Sequence, residues 1–270
     1  MEDQTNIYIP NQLPYSYFVK SIWRLRREAL TDYAERILPK GTVELIFNLS
    51  DQVLYINQDS GVSMALPDCF VNGLNLKPFT LKNTGEQCFL GMQLNTLGIK
   101  ALFRISALTL NNNVVEGDQL CSSLKKLKDE ISGALTFDQQ VYLLLKWLDV
   151  QLTRTDEQNA LERIFHIFLA DFKQQRTVSD LQKRACISDR QLRRWSLAWL
   201  GICPENFLSY QKYLNAIHKL HQVSDSLNEI GLSCGYYDQA HFIREFKHYT
   251  DMTPFQYKKS AKGLPGHVII

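Results

Sequence analysis

One serine in the chain lies in a pattern typical of a catalytic nucleophile. Ser233 is the centre of "GLSCG", a match to the G-x-S-x-G nucleophile elbow of α/β-hydrolases. That elbow requires a strand before the serine, a helix after it, and an Asp and a His later in the chain. The residues before Ser233 have a helical pattern, so we assign "GLSCG" to a helix-turn corner and predict that the chain is not an enzyme.

Outward-facing arginines suggest a different chemistry, which is hydrogen bonding to bases and phosphates. In "DRQLRRWSLAW" a helical period places Leu192, Trp195 and Trp199 on one side. The opposite side carries Arg190, Arg193 and Arg194. A single outward arginine is usually a solvated surface residue. Three on one face favour DNA, because arginine makes bidentate contacts to guanine from a helix in the major groove.

A second helix, in "DQAHFIREFKHYT", repeats this division. Its inward stripe is Phe242, Phe246 and Tyr249, which we predict to be core. Its other face offers groups that can contact bases, thymine methyls or phosphates. These are Gln239, Ala240, Ile243, Arg244 and Lys247. For Ile243, a position at the flank of the core remains the alternative.

Each of these helices is the second half of a predicted helix-turn-helix unit. "TVSDLQKRACIS" predicts a short helix with Val178 and Leu181 inward, followed by the turn "CIS" and by Ser188 or Asp189 as the next N-cap. In the second unit Ile230 belongs to the first helix. Gly235 is free to take a positive φ in the turn, and Asp238 is placed to cap the second helix.

Residues 170 to 260 resemble the double helix-turn-helix DNA-binding domain of the AraC/XylS family of bacterial transcription regulators. The strongest match is "LNEIGLSCGYYDQAHFIREFKHYTDMTPFQY", and "ISDRQLRRW" with "GICPENF" matches more loosely. From the resemblance and the two outward faces we predict one DNA-binding set: Arg190, Gln191, Arg193, Arg194, Gln239, Ala240, Ile243, Arg244 and Lys247. Five positions depart from the family pattern: Cys186, Ser196, Leu197, Trp199 and Asp251.

A long helix is predicted to join the two units. "PENFLSYQKYLNAIHKLHQ" should begin at Pro204 and span roughly 25 Å, near the separation of successive major grooves, about 34 Å. His218 and His221 have the i, i+3 spacing of metal ligands. No third ligand is suggested nearby, so we interpret both as surface residues and predict no metal or cofactor.

The N-terminal part has short runs of β-branched and aromatic residues separated by turn residues, namely "GTVELIFNLSD", "QVLYIN", "CFVNG", "FTLKN" and "CFLGMQL". A helix follows with Phe137, Val141, Leu144, Leu145, Leu148 and Leu152 on one face. We expect that face to dock within the chain, with a dimer seam as the alternative. "TRTDEQN", Thr153 to Asn159, is the predicted linker.

The predicted fold class is therefore α+β with two domains. Residues 1–155 form a β-rich, barrel-like domain with flanking helices, and residues 160–262 form an all-α double helix-turn-helix domain joined by a long helix. Residues 15 to 150 also resemble a poorly characterised N-terminal domain of some AraC/XylS members. That resemblance implies small-molecule sensing or dimerisation. Trp23, Phe47, Tyr55 and Phe89 could line a pocket, and core packing is the alternative for each.

Composition restricts the class of protein further. Residues 160–270 carry 15 Lys and Arg against 10 Asp and Glu, while residues 1–159 have a net charge of −3, so the basic part is the one that would meet a polyanion. Six scattered cysteines without a C-x-x-C pair argue against a disulfide framework. The polar N-terminus and the lack of a long apolar run predict a cytoplasmic protein without membrane contact.

Together these features predict a sequence-specific regulator that binds double-stranded DNA, and they leave a small-molecule effector and a homodimer open. The alternative is an enzyme or a protein-interaction module with a vestigial helix-turn-helix domain. Alkyl-accepting DNA-repair regulators need clustered cysteines, which Cys69, Cys88 and Cys121 do not supply.

Overall fold

The structure is a computed structural model of the 270-residue chain. It describes residues 4–50, 53–57, 61, 63–153, 158–170, 177–222, 226–260 and 266–269. Strands dominate up to residue 116 and helices dominate after it. The α+β prediction is confirmed.

The strands of the described residues belong to one antiparallel sheet. They are β1 (Gln4–Tyr8), β2 (Val19–Ile37), β3 (Val43–Asn48), β4 (Val53–Asn57), β5 (Ser63–Ala65), β6 (Cys69–Asn72), β7 (Phe79–Leu94), β8 (Val114–Glu116) and β9 (His267–Ile269).

Two long strands form the centre of this sheet. β2 and β7 pair from Val19 opposite Leu94 to Ile37 opposite Phe79. The other edge of β7 pairs first with β4 and then with β3. β6 and β8 continue from β3, β5 continues from β4, and β1 and β9 pair with the outer edge of β2.

The sheet is not a closed barrel. Its order is β1-β2-β7-β3-β6-β8, and the two end strands do not pair with each other. Beyond β8 the chain enters helices that pack on β6, so helices cover the sheet at this end instead of a closing strand. The expected barrel-like arrangement is therefore corrected to an open sheet.

Two features of the strands were not predicted. "FTLKN" and "CFLGMQL" belong to one strand, β7, which passes through Gly85 at φ 103°. The 19 residues of β2 include many charged helix-forming residues and no clear alternation, so their strand conformation follows from pairing with β7 and not from local propensity.

The helices lie mainly in the second half of the chain. They are α1 (Leu97–Phe103), α2 (Gly117–Leu120), α3 (Ser123–Gly133), α4 (Phe137–Thr153), α5 (Gln158–Phe168), α6 (Val178–Ala185), α7 (Asp189–Leu200), α8 (Pro204–Gln222), α9 (Leu227–Ser233), α10 (Gln239–Thr250) and α11 (Pro254–Ser260). Short 3-10 helices lie at Tyr15–Tyr17 and Ala107–Leu110.

The predicted apolar face of α4 docks within the chain. Val141, Leu144, Leu148 and Leu152 are buried, and α4 contacts α1 and α3. Phe137 and Leu145 are partly buried against the same core. The expected docking within the chain is confirmed. The predicted linker, Thr153 to Asn159, lies mostly outside the described residues, since 154–157 are not described.

A single apolar core runs from the N-terminal sheet into the helical part. It joins Phe18, Leu45 and Leu90 of the sheet region to Leu192 and Phe246 of the helix-turn-helix region. A second cluster, with Phe70 and Phe79, lies within the sheet region. Among the described residues, no helix combines the length and apolar character needed to cross a membrane.

Candidate DNA-binding surface

The first helix-turn-helix unit is set up by caps close in sequence. Thr177 caps α6 and forms a capping box with Asp180, while Leu181 and Ala185 are buried. Val178 packs at the edge of the core. The side chain of Ser188 accepts from the backbone N–H of Gln191, which identifies Ser188 as the N-cap of α7.

Cys186 ends α6 in the left-handed conformation, at φ 51° and ψ 45°. This is one of the positions where the chain departs from the family pattern. A side chain in this conformation costs about 1–2 kcal/mol, which glycine avoids. Cys186 is exposed, and its backbone N–H donates to the backbone carbonyl of Lys183, so the turn has the required shape with a strained residue.

The two faces of α7 differ as the sequence predicts. Leu192 and Trp199 are buried, and Trp195 is half-buried beneath the guanidinium of Arg163, 4.9 Å from its ring centre. The exposed face carries the three arginines: Arg190, Arg193 and Arg194. Gln191 is half-buried beside them.

Ser196 replaces a core aromatic of the family pattern, and the structure satisfies its hydroxyl. The side chain is fully buried, and Oγ donates to the carbonyl of Ile202 at 2.6 Å. A buried hydroxyl without a partner would be costly. Here the bond ties the last turns of α7 to the start of α8.

The second unit follows the same plan with a glycine in its turn. Ser226 and Glu229 form a capping box at the start of α9, and Ile230 is fully buried. Gly235 has a φ of 86°, as predicted. The carboxylate of Asp238 accepts from the backbone N–H of His241 at 2.7 Å and caps α10.

α10 presents the predicted residues on its outer face. Its buried stripe is Phe242, Phe246 and Tyr249. Its exposed side chains are Gln239, Ala240, Arg244 and Lys247, and Ile243 is half-buried. Tyr237, which the sequence pattern did not single out, is 87% exposed directly before the N-cap.

Ser233 is not in a nucleophile elbow. It is the last residue of α9, so a helix precedes it and not a strand. Its hydroxyl donates to the carbonyl of Ile230 at 2.9 Å and accepts from the ammonium of Lys219 at 2.8 Å. The assignment of "GLSCG" to a helix-turn corner is confirmed.

α8 joins the two units and begins at Pro204 as predicted. Its 19 residues span about 28 Å at 1.5 Å each. An aromatic side chain of α8 packs on the second unit. Tyr213 stacks on Tyr249 with ring centroids 4.8 Å apart, and its ring centroid lies 5.6 Å from that of Phe246. Burial raises the pKa of the Tyr213 hydroxyl well above its usual value.

The two histidines of α8 differ in environment. His218 is exposed, as predicted. His221 is half-buried, and its ring lies edge-on to Tyr257, so its prediction as a surface residue is wrong. Burial lowers the pKa of His221, with a further contribution from His218. Within the described part of the chain no group of three metal-ligating side chains occurs.

A cavity of about 340 Å³ lies between α5 and α7. Its lining comprises Ala160, Arg163, Ile164, Trp195 and Trp199. Its walls are mainly aromatic and aliphatic, and it contacts the buried side of α7.

The aromatic residues considered for an N-terminal pocket are packed in the core. Phe47, Tyr55 and Phe89 are buried, and burial raises the pKa of Tyr55. Trp23 lies against Gly91, where a Cβ would come within 2.2 Å of the indole. The core alternative is confirmed for Phe47, Tyr55 and Phe89, while Trp23 is partly buried against the second apolar cluster. The six cysteines are all free thiols.

Two family models match the chain. Residues 181–260 match a helix-turn-helix domain, and residues 9–116 match a domain of unknown function (DUF6597). The first match lies within residues 170–260, and the second overlaps residues 15–150 as far as residue 116.

Similar curated proteins are regulators. The HTH-type transcriptional regulator ArgR of Pseudomonas aeruginosa is 28% identical over 94 residues, which are 35% of this chain and 29% of that protein. An uncharacterized HTH-type transcriptional regulator of Staphylococcus aureus is 23% identical over 209 residues, 72% of this chain and 28% of that protein. The chain thus spans less than a third of the length of these curated relatives.

Solved structures are also similar to this chain. ToxT from Vibrio cholerae is 13% identical with a TM-score of 0.48, over 97% of this chain and 100% of that chain. The DNA-binding domain of AdpA, in complex with a target DNA, is 23% identical with a TM-score of 0.33, over 36% of this chain and 87% of that chain.

Proposed function

Because residues 181–260 form a helix-turn-helix domain of the AraC/XylS type, we propose that the chain is a sequence-specific DNA-binding transcription regulator. It inserts α7 and α10 into successive major grooves on one side of the duplex. One observation carries this function most directly. Both helices bury an apolar stripe and expose a basic face, which on α10 also carries the amide of Gln239.

The proposed contacts follow from the chemistry of each side chain. Arg194 and Arg244 read bases, since a guanidinium can bond guanine in a bidentate way. Gln239, in the first turn of α10, can bond adenine, and Ala240 and Ile243 can contact thymine methyls. The remaining residues of the predicted DNA-binding set contact phosphates and fix the register of the protein on the duplex. These are Arg190, Gln191, Arg193 and Lys247. Tyr237 is placed to add a phosphate contact from the turn.

The geometry of α8 supports a two-groove mode. A helix of about 28 Å lies between the units, which is close to the separation of successive major grooves, about 34 Å. One chain then occupies two half-sites by itself. We assign DNA binding to residues 160–262 and a sensory or dimerisation role to residues 1–155. Double-stranded DNA is the partner that the basic residues 160–270 favour.

We assign no catalytic step to the chain. Ser233, the candidate nucleophile from the sequence, is bonded within a helix corner. A small-molecule effector remains part of the proposal, and the α5–α7 cavity is the place where it would act most directly on a recognition helix. Its volume of about 340 Å³ falls within the range of ligand pockets, about 300–1,000 Å³.

The test is selection of bound fragments from host genomic DNA, with wild type and an Arg194→Ala/Arg244→Ala variant in parallel. A Lys125→Ala/Lys146→Ala variant is the matched control, because it removes two exposed positive charges from α3 and α4. Wild type and control should enrich the same few loci, and the arginine variant should lose them. Equal enrichment by all three proteins would contradict the assignment of the recognition helices. No enrichment by wild type, with or without host cell extract, would contradict DNA binding and favour the interaction module.

A further inference from the structure

The C-terminal end of α7 is bound to the N-terminal part of the chain. Asn111 donates from Nδ2 to the carbonyl of Gly201, the C-cap of α7, at 2.6 Å. Ser106 Oγ donates to the carbonyl of Leu197 at 3.4 Å. Gly201 has a φ of 79°, and a Cβ there would come within 2.5 Å of Asn111 Oδ1. Glycine therefore permits both the turn and this close approach.

The C-terminal end of α10 is bound in the same way by different residues. The ammonium of Lys77 donates to the carbonyl of His248 at 2.7 Å. Arg36 forms an ion pair with Asp251, the left-handed C-cap of α10, at 2.8 Å. Cations are favourable at the C-terminal end of a helix, where free carbonyls concentrate negative charge.

Lys77 and Asn111 lie in two chain segments that are hydrogen-bonded to each other. The backbone N–H of Leu76, next to Lys77, donates to Asn112 Oδ1 at 2.7 Å. The backbone N–H of Asn112, next to Asn111, donates to the carbonyl of Leu74 at 3.0 Å. The backbone beside Lys77, which binds α10, is thus hydrogen-bonded to the residue beside Asn111, which binds α7.

α8 is also bound to the N-terminal part of the chain, through Asn75 and through the backbone near Gly41. The hydroxyl of Tyr210 donates to the carbonyl of Asn75 at 3.0 Å and accepts from the backbone N–H of Gly41 at 2.9 Å. Tyr213 donates to the carbonyl of Pro39 at 3.0 Å. Both tyrosines are buried, so these bonds are shielded from water.

We propose that Arg36, Lys77, Ser106 and Asn111, which we call the bracket, are positioning residues that set the separation of the two recognition helices. The inference rests on the proposed function. Because the bracket holds each helix at the end away from its reading residues, it fixes the spacing of half-sites without contacting DNA. The N-terminal part of the chain therefore determines which operator spacing is accepted.

The test compares operators with altered spacing. The operator selected by wild type is rebuilt with one, two or three base pairs inserted between the half-sites, and Kd is measured for each. One inserted base pair moves a half-site by about 3.4 Å and about a tenth of a turn. Wild type should lose about 10-fold in affinity for one insertion. Lys77→Met/Asn111→Ala should lose about 3-fold or less, because its helices adapt to the new spacing.

Three comparisons separate positioning from a general structural role. The double variant should bind an operator with one half-site scrambled as tightly as wild type does, within about twofold. Lys77→Arg, which keeps a cation at this position, should retain the wild-type spacing penalty. Lys125→Met/Asn113→Ala, which changes exposed residues of the same types, should keep that penalty. A double variant that weakens on every operator in parallel, with its spacing penalty unchanged, overturns the proposal.

A measurement without DNA tests the same bracket. Backbone amides in the last turns of α7 and α10 should exchange hydrogen at least about 10-fold faster in Lys77→Met/Asn111→Ala than in wild type, while amides of β3 and β7 stay unchanged. Unchanged hydrogen exchange at both helix ends would overturn the proposal that the bracket holds the two helices. If wild type binds no DNA, the proposed function fails, and exchange still decides whether these residues hold the helices.

Discussion

Arg193 and Glu205 form an ion pair across the corner between α7 and α8, with Nη2 3.1 Å from a carboxylate oxygen. Each side chain is 48% exposed. The pKa of Glu205 is lowered first by its backbone hydrogen bond, then by Cys203 and by the charge of Arg193. Arg190 and Arg194 form no ion pair with the residues the structure describes. Glu205 therefore competes with any anionic partner for the guanidinium of Arg193.

Glu205→Gln should strengthen DNA binding. The change removes the carboxylate that competes with phosphate for Arg193, and exposed ion pairs contribute about 0.2–1 kcal/mol, so the gain should be about 2–5-fold. The plot of log affinity against log salt should become steeper by up to about 0.9, as for one added phosphate contact. Filter binding or anisotropy at several salt concentrations measures both values. Glu86→Gln, an exposed substitution on β7, is the control, and equal affinity for all three proteins would contradict the effect.

Arg194→Ala and Arg244→Ala should each lose about 1–3 kcal/mol on the cognate site and relax specificity at one base pair. Lys247→Ala should weaken binding on all sequences by a similar factor and reduce the salt slope by about 1. Competition binding against a library of single-base operator variants distinguishes the two patterns. A uniform loss for Arg194→Ala would reassign it to the phosphates.

Phe246→Ala should lower the free energy of unfolding by about 3–5 kcal/mol. The side chain is fully buried, with ring neighbours Tyr213, Phe242 and Tyr257. Phe255, on α11, is 67% exposed, and Phe255→Ala should change stability by no more than about 0.5 kcal/mol. The two denaturant midpoints give the comparison. Equal midpoints for the two variants would refute the core assignment of Phe246.

Cys186→Gly should stabilise the fold by about 0.5–1 kcal/mol. Relief of the left-handed strain at φ 51° is worth about 1–2 kcal/mol, and the greater freedom of glycine in the unfolded chain offsets part of it. Asp251 has a similar φ of 56° but also pairs with Arg36, so Asp251→Gly should gain less. Urea unfolding of both variants measures the difference. A destabilised Cys186→Gly would mean that the thiol itself contributes to the turn.

The contribution of Glu35 to the free energy of unfolding should disappear at low pH. Burial by itself would raise the pKa of this carboxyl, but the hydrogen bond and charge of His267, with Arg27 and Lys40, hold it below its usual value of 4.5. Because the pKa is depressed in the folded state, the stabilisation is fully present above pH 4.5 and is lost as pH falls through the folded pKa. The free energy of unfolding should therefore fall less between about pH 6 and pH 3 in Glu35→Gln than in wild type. A parallel fall in both proteins would contradict the pairing.

Features that depend on neighbouring residues were predictable from the sequence. The N-caps Ser188 and Asp238 and the positive φ of Gly235 follow from residue types within a few positions, and all three are observed. The division of α7 and α10 into buried and exposed faces follows from the helical period alone. In the structure the candidate DNA-binding residues are exposed, except Gln191 and Ile243, which are half-buried.

Features that depend on distant residues left no local signal. Lys77 and His248 are 171 positions apart, and Asn111 and Gly201 are 90 apart. No periodicity relates such pairs, so the bracket could not be inferred from the sequence. β2 was missed for the same reason, since its partner β7 determines its conformation more than its own residues do. The pairing of Arg193 with Glu205 likewise depends on the angle between α7 and α8.

β9 has a practical consequence for dissecting the chain. Its residues follow the helix-turn-helix units in sequence but pair with Glu35, Arg36 and Ile37 of β2. A fragment cut between α4 and α5 would carry a strand without its partner, and the complementary fragment would expose the unpaired edge of β2, which is a template for aggregation. Exchanging DNA-binding parts between relatives therefore requires that residues 266–269 stay with the N-terminal sheet, and a permuted chain that joins them to it directly is the better starting point.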